Sequence, residues 1–150
     1  MNRKIFYLVL VLPAVFLSPV WAQCPGKSAE EDSLYEFLQG TYHLIGRLPD
    51  SSTTYTGKVT FTKTDNGLQV RRTIDGKAIE GAGKIETATA DKIKVLRVRF
   101  INQNKSYELT YLINSDLDNH ARLSGYLYLI PGGTKVPGLE ALFIDPQAFK

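Results

Sequence analysis

The chain has 150 residues, with 18 basic and 15 acidic side chains, a net charge of +3 and a single cysteine. Arg3 and Lys4 lie in an N-terminal leader, so the rest of the chain carries a net +1, too little for a general attraction to nucleic acid. One cysteine excludes an internal disulfide.

The leader reads MNRKIFYLVLVLPAVFLSPVWA. Two basic residues precede an apolar run from Ile5 to Phe16, and Val20-Trp21-Ala22 puts small residues where a signal peptidase reads them. Pro13, Ser18 and Pro19 interrupt the run, so a cleaved secretory signal peptide over 1–22 is expected rather than a membrane span. The protein is then exported, to the periplasm or beyond. Cys24 raises lipidation as a rival, but Trp21-Ala22-Gln23 lacks the leucine and small residues that precede a lipidated cysteine, and a thiol on a free end is the simpler reading. Residues 23–39 form a leader and short helix, 40–145 one domain and 146–150 a tail.

In SAEEDSLYEFLQG, Ser28 with Glu31 forms a capping box, Leu34, Phe37 and Leu38 share a face, and Gly40 ends the helix, predicted over 29–39. Beyond it every apolar run has strand character. The runs fall at 41–48, 53–64, 67–75, 77–87, 92–102, 105–114, 120–130 and 136–144, rich in Thr, Val, Ile, Tyr and Phe. Asp65-Asn66-Gly67, Asp75-Gly76 and Asn102-Gln103-Asn104 are links of hairpin length, so neighbours must be antiparallel. A meander of eight strands leaves two open edges unless the first pairs with the last. The expected fold is therefore all-β: an eight-stranded antiparallel up-and-down β-barrel, its helix plugging or flanking one end, with a two-sheet sandwich as the alternative.

Alternation assigns Tyr42, Leu44, Leu48, Tyr55, Val59, Phe61, Leu68, Val70, Ile74, Ile79, Ile85, Leu96, Val98 and Phe100 to the interior. Gly46, Gly57, Gly81 and Gly83 share that parity, marking curvature or close approach of a ligand. Tyr107, Leu109, Tyr111 and Ile113 are a further candidate inward set, although Glu108, Thr110 and Leu112 on the other face do not settle the parity. In LQVRRTIDG (68–76), Arg72 also falls on the inward side, whereas Arg71 faces out. A guanidinium cannot lose its charge, so a buried Arg72 needs an acceptor. Glu140, the one charge in the last strand, shares parity with Gly138 and Leu142 and is the matching carboxylate. Three readings follow. The pair fixes the register or closes one end of the barrel, or Arg72 binds an anionic ligand in a pocket lined by Tyr42, Tyr55 and Phe61, or Arg72 reaches solvent by extending its stem.

Elsewhere the chemistry is sparse. His43 faces outward. Asp116, Asp118 and His120 alternate as metal ligands do, but a solvated turn explains them, so neither metal nor cofactor is expected. Phosphate-binding glycine loops, zinc spacings and nucleophile elbows are missing from the sequence, and an enzyme is not expected. Arg71, Arg97, Arg99 and Lys58 make an outward basic set, read as a solvated face or a docking surface.

GTYHLIGRLPDSSTTYTGKVTF (40–61), LQVRRTIDG, GKAIEGAGKIE (76–86), VLRVRF (95–100), LSGYL (123–127) and GLEALF (138–143) together resemble the small secreted barrels of the calycin type, which include lipocalins and avidins. The resemblance implies a small molecule carried in the barrel. The chain departs from the lipocalin Gly-x-Trp, since Gly40-Thr41-Tyr42 stands in its place. Its only tryptophan, Trp21, lies in the leader, which disfavours the tryptophan-lined biotin pocket of avidins. The functional expectation is an exported binding protein for a small anionic or amphipathic ligand. The alternative is a protein-interaction module, such as an exported enzyme inhibitor, acting through its loops and outer face. Outward Leu112, Tyr126 and Tyr128 leave a dimer open.

Overall fold

The computed structural model describes residues 28–88, 90–113 and 121–145. The expected signal peptide, Cys24, Asp116, Asp118, His120 and the 146–150 tail lie outside the described residues, as do the side chains of residues 121 and 122.

One helix, α1 (Ala29–Leu38), precedes eight strands: β1 (Gly40–Arg47), β2 (Thr54–Thr64), β3 (Gly67–Ile74), β4 (Lys77–Ala88), β5 (Ile93–Asn102), β6 (Lys105–Ile113), β7 (Ala121–Ile130) and β8 (Gly138–Ile144). Each strand pairs with the next, and β1 pairs with β8 to close the barrel. The closing ladder runs antiparallel from Tyr42 opposite Ile144 to Arg47 opposite Leu139. Closure removes both sheet edges, so every strand is paired on both sides.

The turns show why the meander is so tight. Asp75 and Gly76 have φ of 50° and 72°, and Gln103 and Asn104 have φ of 50° and 60°. Two successive positive values give the turn whose twist matches a right-twisted hairpin. The chain thus reverses in two residues between β3 and β4 and again between β5 and β6.

α1 closes one end. Ser28 Oγ accepts from Glu31 N at 3.2 Å, as its capping pattern predicts, and three acidic residues occupy the first turn, where the helix dipole favours them. The cap residue at the other end is Gln39. Gly40, with φ of 137°, does not end the helix but turns the chain directly into β1. Leu38 is buried as expected, together with Tyr35, which the 3.6-residue pattern did not single out; Leu34 and Phe37 are half-buried. Tyr35 reaches in because its hydroxyl has a partner: Ile85 N donates to it at 3.0 Å. Tyr42 Oη donates to Leu38 O at 3.0 Å, and Lys63 Nζ donates to Asp32 and Glu36 at 2.7 and 3.1 Å. The helix is therefore tied to β1, β2 and β4 around the barrel end that carries the 65–66 turn.

Behind this plug the interior is filled by side chains. Tyr42, Leu44, Val59, Phe61, Leu68, Val70, Leu96, Val98, Leu109, Tyr111, Leu123, Leu127 and Leu142 are buried, and Tyr42 meets Phe61 edge to face, with ring centroids 5.4 Å apart. Leu48 departs from its inward assignment. It follows the last residue of β1, where the alternation of a strand no longer holds, and it is 39% exposed at the rim of the other end.

The outward basic residues do not form a positive patch. On the wall of β4, β5 and β6, Arg97 and Arg99 each reach Glu86 at 2.9 Å, and both also approach Glu108. Arg71 lies 3.6 Å from Glu80, and Lys58 lies 3.3 Å from Asp145. Each of these four cations has a carboxylate beside it.

Candidate functional site

The inward-facing row across the barrel wall reads Tyr55 (β2), Gly46 (β1), Glu140 (β8), Gly125 (β7), Tyr111 (β6), each residue directly opposite the next in the strand ladders. A carboxylate thus stands between two glycines, with a tyrosine beyond each. The glycines are required by space. A Cβ on Gly46 would come within 2.8 Å of the Tyr55 hydroxyl, and one on Gly125 within 2.9 Å of Tyr111 Cα. With both positions bare, the two phenols lean toward Glu140. Tyr55 Oη donates to Glu140 Oε1 and Tyr111 Oη to Oε2.

Arg72 meets this group from β3, three strands round the wall, where its ladder neighbours are Val59 and Ile79. Its fork is bidentate: Nη2 donates to Glu140 Oε1, and Nη1 donates to Oε2 at 3.1 Å. Nη1 also lies 3.5 Å from the Tyr111 oxygen. The guanidinium carbon sits 4.5 Å from the centroid of the Phe100 ring, and Phe100 stacks on Tyr107 at 5.2 Å with an interplanar angle of 9°. Arg72 and Glu140 are 1% and 3% exposed.

This geometry makes the burial tolerable. Removing two ions from water costs several kcal/mol each unless the pairing is near ideal and the remaining lone pairs are satisfied. Glu140 accepts four hydrogen bonds, two from each direction. Burial alone would lower the pKa of Arg72, but the carboxylate of Glu140 more than offsets it, and the guanidinium is held in its charged form. Burial, followed by the same carboxylate, pushes Tyr55 and Tyr111 well above the usual phenol value, so both remain protonated donors. Among the described residues, Arg72 Nε is a buried donor without a partner.

The cluster stands in the half of the barrel away from α1. Above it a cleft of about 230 Å³ opens between the 75–76 and 103–104 turns, lined by Tyr55, Arg72, Ile74, Ile79, Phe100 and Tyr107 among others, with Asp75, Lys77, Asn102 and Gln103 at its polar rim. Leu48 also lines this mouth.

Of the residues expected to form a site, the structure brings together Arg72, Glu140 and Tyr55. Tyr42 and Phe61 are elsewhere: they pack against each other, and Tyr42 bonds to the helix end at Leu38. Tyr111 and Phe100 complete the cluster, although the sequence reading gave neither a role in it. Tyr111 has the right parity, and its position opposite a glycine on the next strand is the signal that marks it. Outward His43 lies 3.4 Å from Asp145, away from the cluster. Among the described residues, no group of three or more His, Cys, Asp or Glu side chains could hold a metal ion, and no helix is long and apolar enough to cross a membrane. No protein-family model matches the chain, and no curated protein matches it.

Proposed function

We propose that this protein binds a small, mainly apolar molecule in the mouth of the barrel, with one hydrogen-bond acceptor of the ligand directed toward Arg72. The observation that carries the reading is the cleft itself. One end of the barrel is plugged and packed, while the other keeps about 230 Å³ between aromatic and aliphatic walls above a polar floor. Ligand sites commonly combine apolar walls with a few placed polar groups, in volumes of about 300–1,000 Å³. This cleft is smaller, which favours a compact ligand over a long acyl chain.

Its electrostatics favour a neutral ligand over the anion suggested by the sequence. The charge of Arg72 is already matched by Glu140, and Asp75 and Lys77 at the rim carry opposite signs. A carboxylate entering the cleft would lose its hydration without meeting an unmatched cation. A carbonyl or ether oxygen loses less, and Arg72, one of the lining residues, keeps one buried donor, its Nε–H, without a partner among the described residues. The calycin resemblance points the same way, since it implies carriage of a small molecule inside the barrel. Together with an N-terminal export signal, this describes a binding protein that works outside the cytoplasm.

Three probes of similar size separate the possibilities by titration calorimetry or by shifts of the NMR signals of Ile79 and Phe100: acetophenone, toluene and benzoate. Acetophenone is expected to bind most tightly, toluene more weakly for want of an acceptor, and benzoate most weakly. Ile74→Trp, which fills the cleft, should abolish binding. If none of the three binds, or if Ile74→Trp binds them as well as the natural chain does, the reading is wrong.

A further inference from the structure

The outer wall is two-sided. The β4–β6 side carries the paired arginines and glutamates, whereas the side formed by β6, β7, β8 and β1 is apolar. There Ile45, Leu112, Tyr126, Leu139 and Tyr128 are 53, 49, 51, 44 and 37% exposed. Strand register makes them one surface. Leu112, Ser124, Ala141 and Ile45 are successive partners across the four strands, and Tyr126 stands opposite Leu139 in the neighbouring row. Between these ridges the small side chains of Ser124 and Ala141 leave a groove of about 490 Å³.

We propose that this face joins two copies of the chain about a two-fold axis, the Tyr126 side of each copy seated in the groove of the other. Three observations select a second copy over a different partner. A two-fold interface must be self-complementary, and here the projecting rings and the groove that can receive them lie within one patch. Any net charge within such a patch would oppose itself across the axis; the exposed ridge residues carry none, and the charged side chains beside them among the described residues are engaged elsewhere: Arg47 donates to Pro137 O at 3.2 Å, and Glu108, opposite Tyr128, is paired with Arg97 and Arg99.

The area also fits. At roughly 100 Å² of exposed surface each, the five large side chains offer about 500 Å². A standard interface buries about 800 Å² per partner, and homodimer interfaces are about 65% apolar, so about 520 Å² of apolar surface is required. The face lies on the wall rather than at the mouth, and dimerisation stands or falls independently of ligand binding in the cleft.

Sedimentation velocity over a range of protein concentrations, with a thiol reductant present so that Cys24 cannot link chains, tests the proposal. A reversible dimer is expected for the natural chain. Tyr126→Arg and, as a second variant, Ile45→Lys each place like charges across the axis and should weaken association at least about tenfold, with unchanged circular dichroism. Thr62→Arg, an exposed change on β2, should leave the dimer intact. A natural chain that stays monomeric at all concentrations overturns the proposal, as does a dimer that survives both wall variants or one that Thr62→Arg dissolves equally.

Discussion

Tyr55 and Tyr111 show how a single carboxylate can be satisfied inside a packed barrel. Each donates a charge-assisted hydrogen bond to Glu140, and such bonds contribute about 1.5–3 kcal/mol. Tyr111→Phe should therefore lower stability by about 2 kcal/mol in urea denaturation, while Tyr128→Phe on the exposed wall should change it by less than about 0.5 kcal/mol. Alkaline pH tests the same contact without mutation. Both phenols have folded pKa values raised above the free value near 10. The unfolded chain therefore releases these protons first, and the stabilisation, complete below about pH 10, is lost as pH climbs from there toward the raised folded values. The urea midpoint should fall above pH 10, and the Tyr55→Phe/Tyr111→Phe double variant should show a shallower fall from its lower starting point. Arg72 and Glu140 were legible in the sequence because each is a charge at an inward parity. Tyr111 was less so, since Leu112 and Thr110 leave both faces of β6 uncommitted until its neighbours are known.

The strands repeat that lesson at the next scale. Alternation and turn residues placed all eight to within about two residues, because a closed antiparallel barrel imposes a two-residue period on nearly every position and hides one face from water. It failed at Leu48, one residue beyond the end of β1, and it could not show that Gly46 and Gly125 flank Glu140, which depends on register among β7, β8 and β1. The helix was legible from its cap, but not its anchor: Tyr35 is held by a bond to β4, a contact 50 residues away in sequence. Because Leu38 is fully buried against the barrel end, Leu38→Ala should cost about 2–4 kcal/mol. Lys63→Ala, which removes partly exposed ion pairs, should cost less than about 1 kcal/mol. Equal losses from these two changes would mean that the helix is held by charge rather than by packing.

At the scale of the molecule, the barrel has a plugged end, an open mouth, a charged wall and an apolar wall, and the buried ion pair spans its interior between β3 and β8. Removing one partner of such a pair strands the other, whereas removing both does not. The direct test is a double-mutant cycle on stability with Arg72→Met, Glu140→Leu and the two combined, and with exposed Arg71→Ala as a reference. Each single change within the pair should cost about 3–5 kcal/mol, Arg71→Ala less than about 0.5 kcal/mol, and the combined variant about 2–3 kcal/mol less than the sum of its parts. Additive losses, or an Arg72→Met variant as stable as Arg71→Ala, would contradict a buried Arg72–Glu140 pair across the barrel.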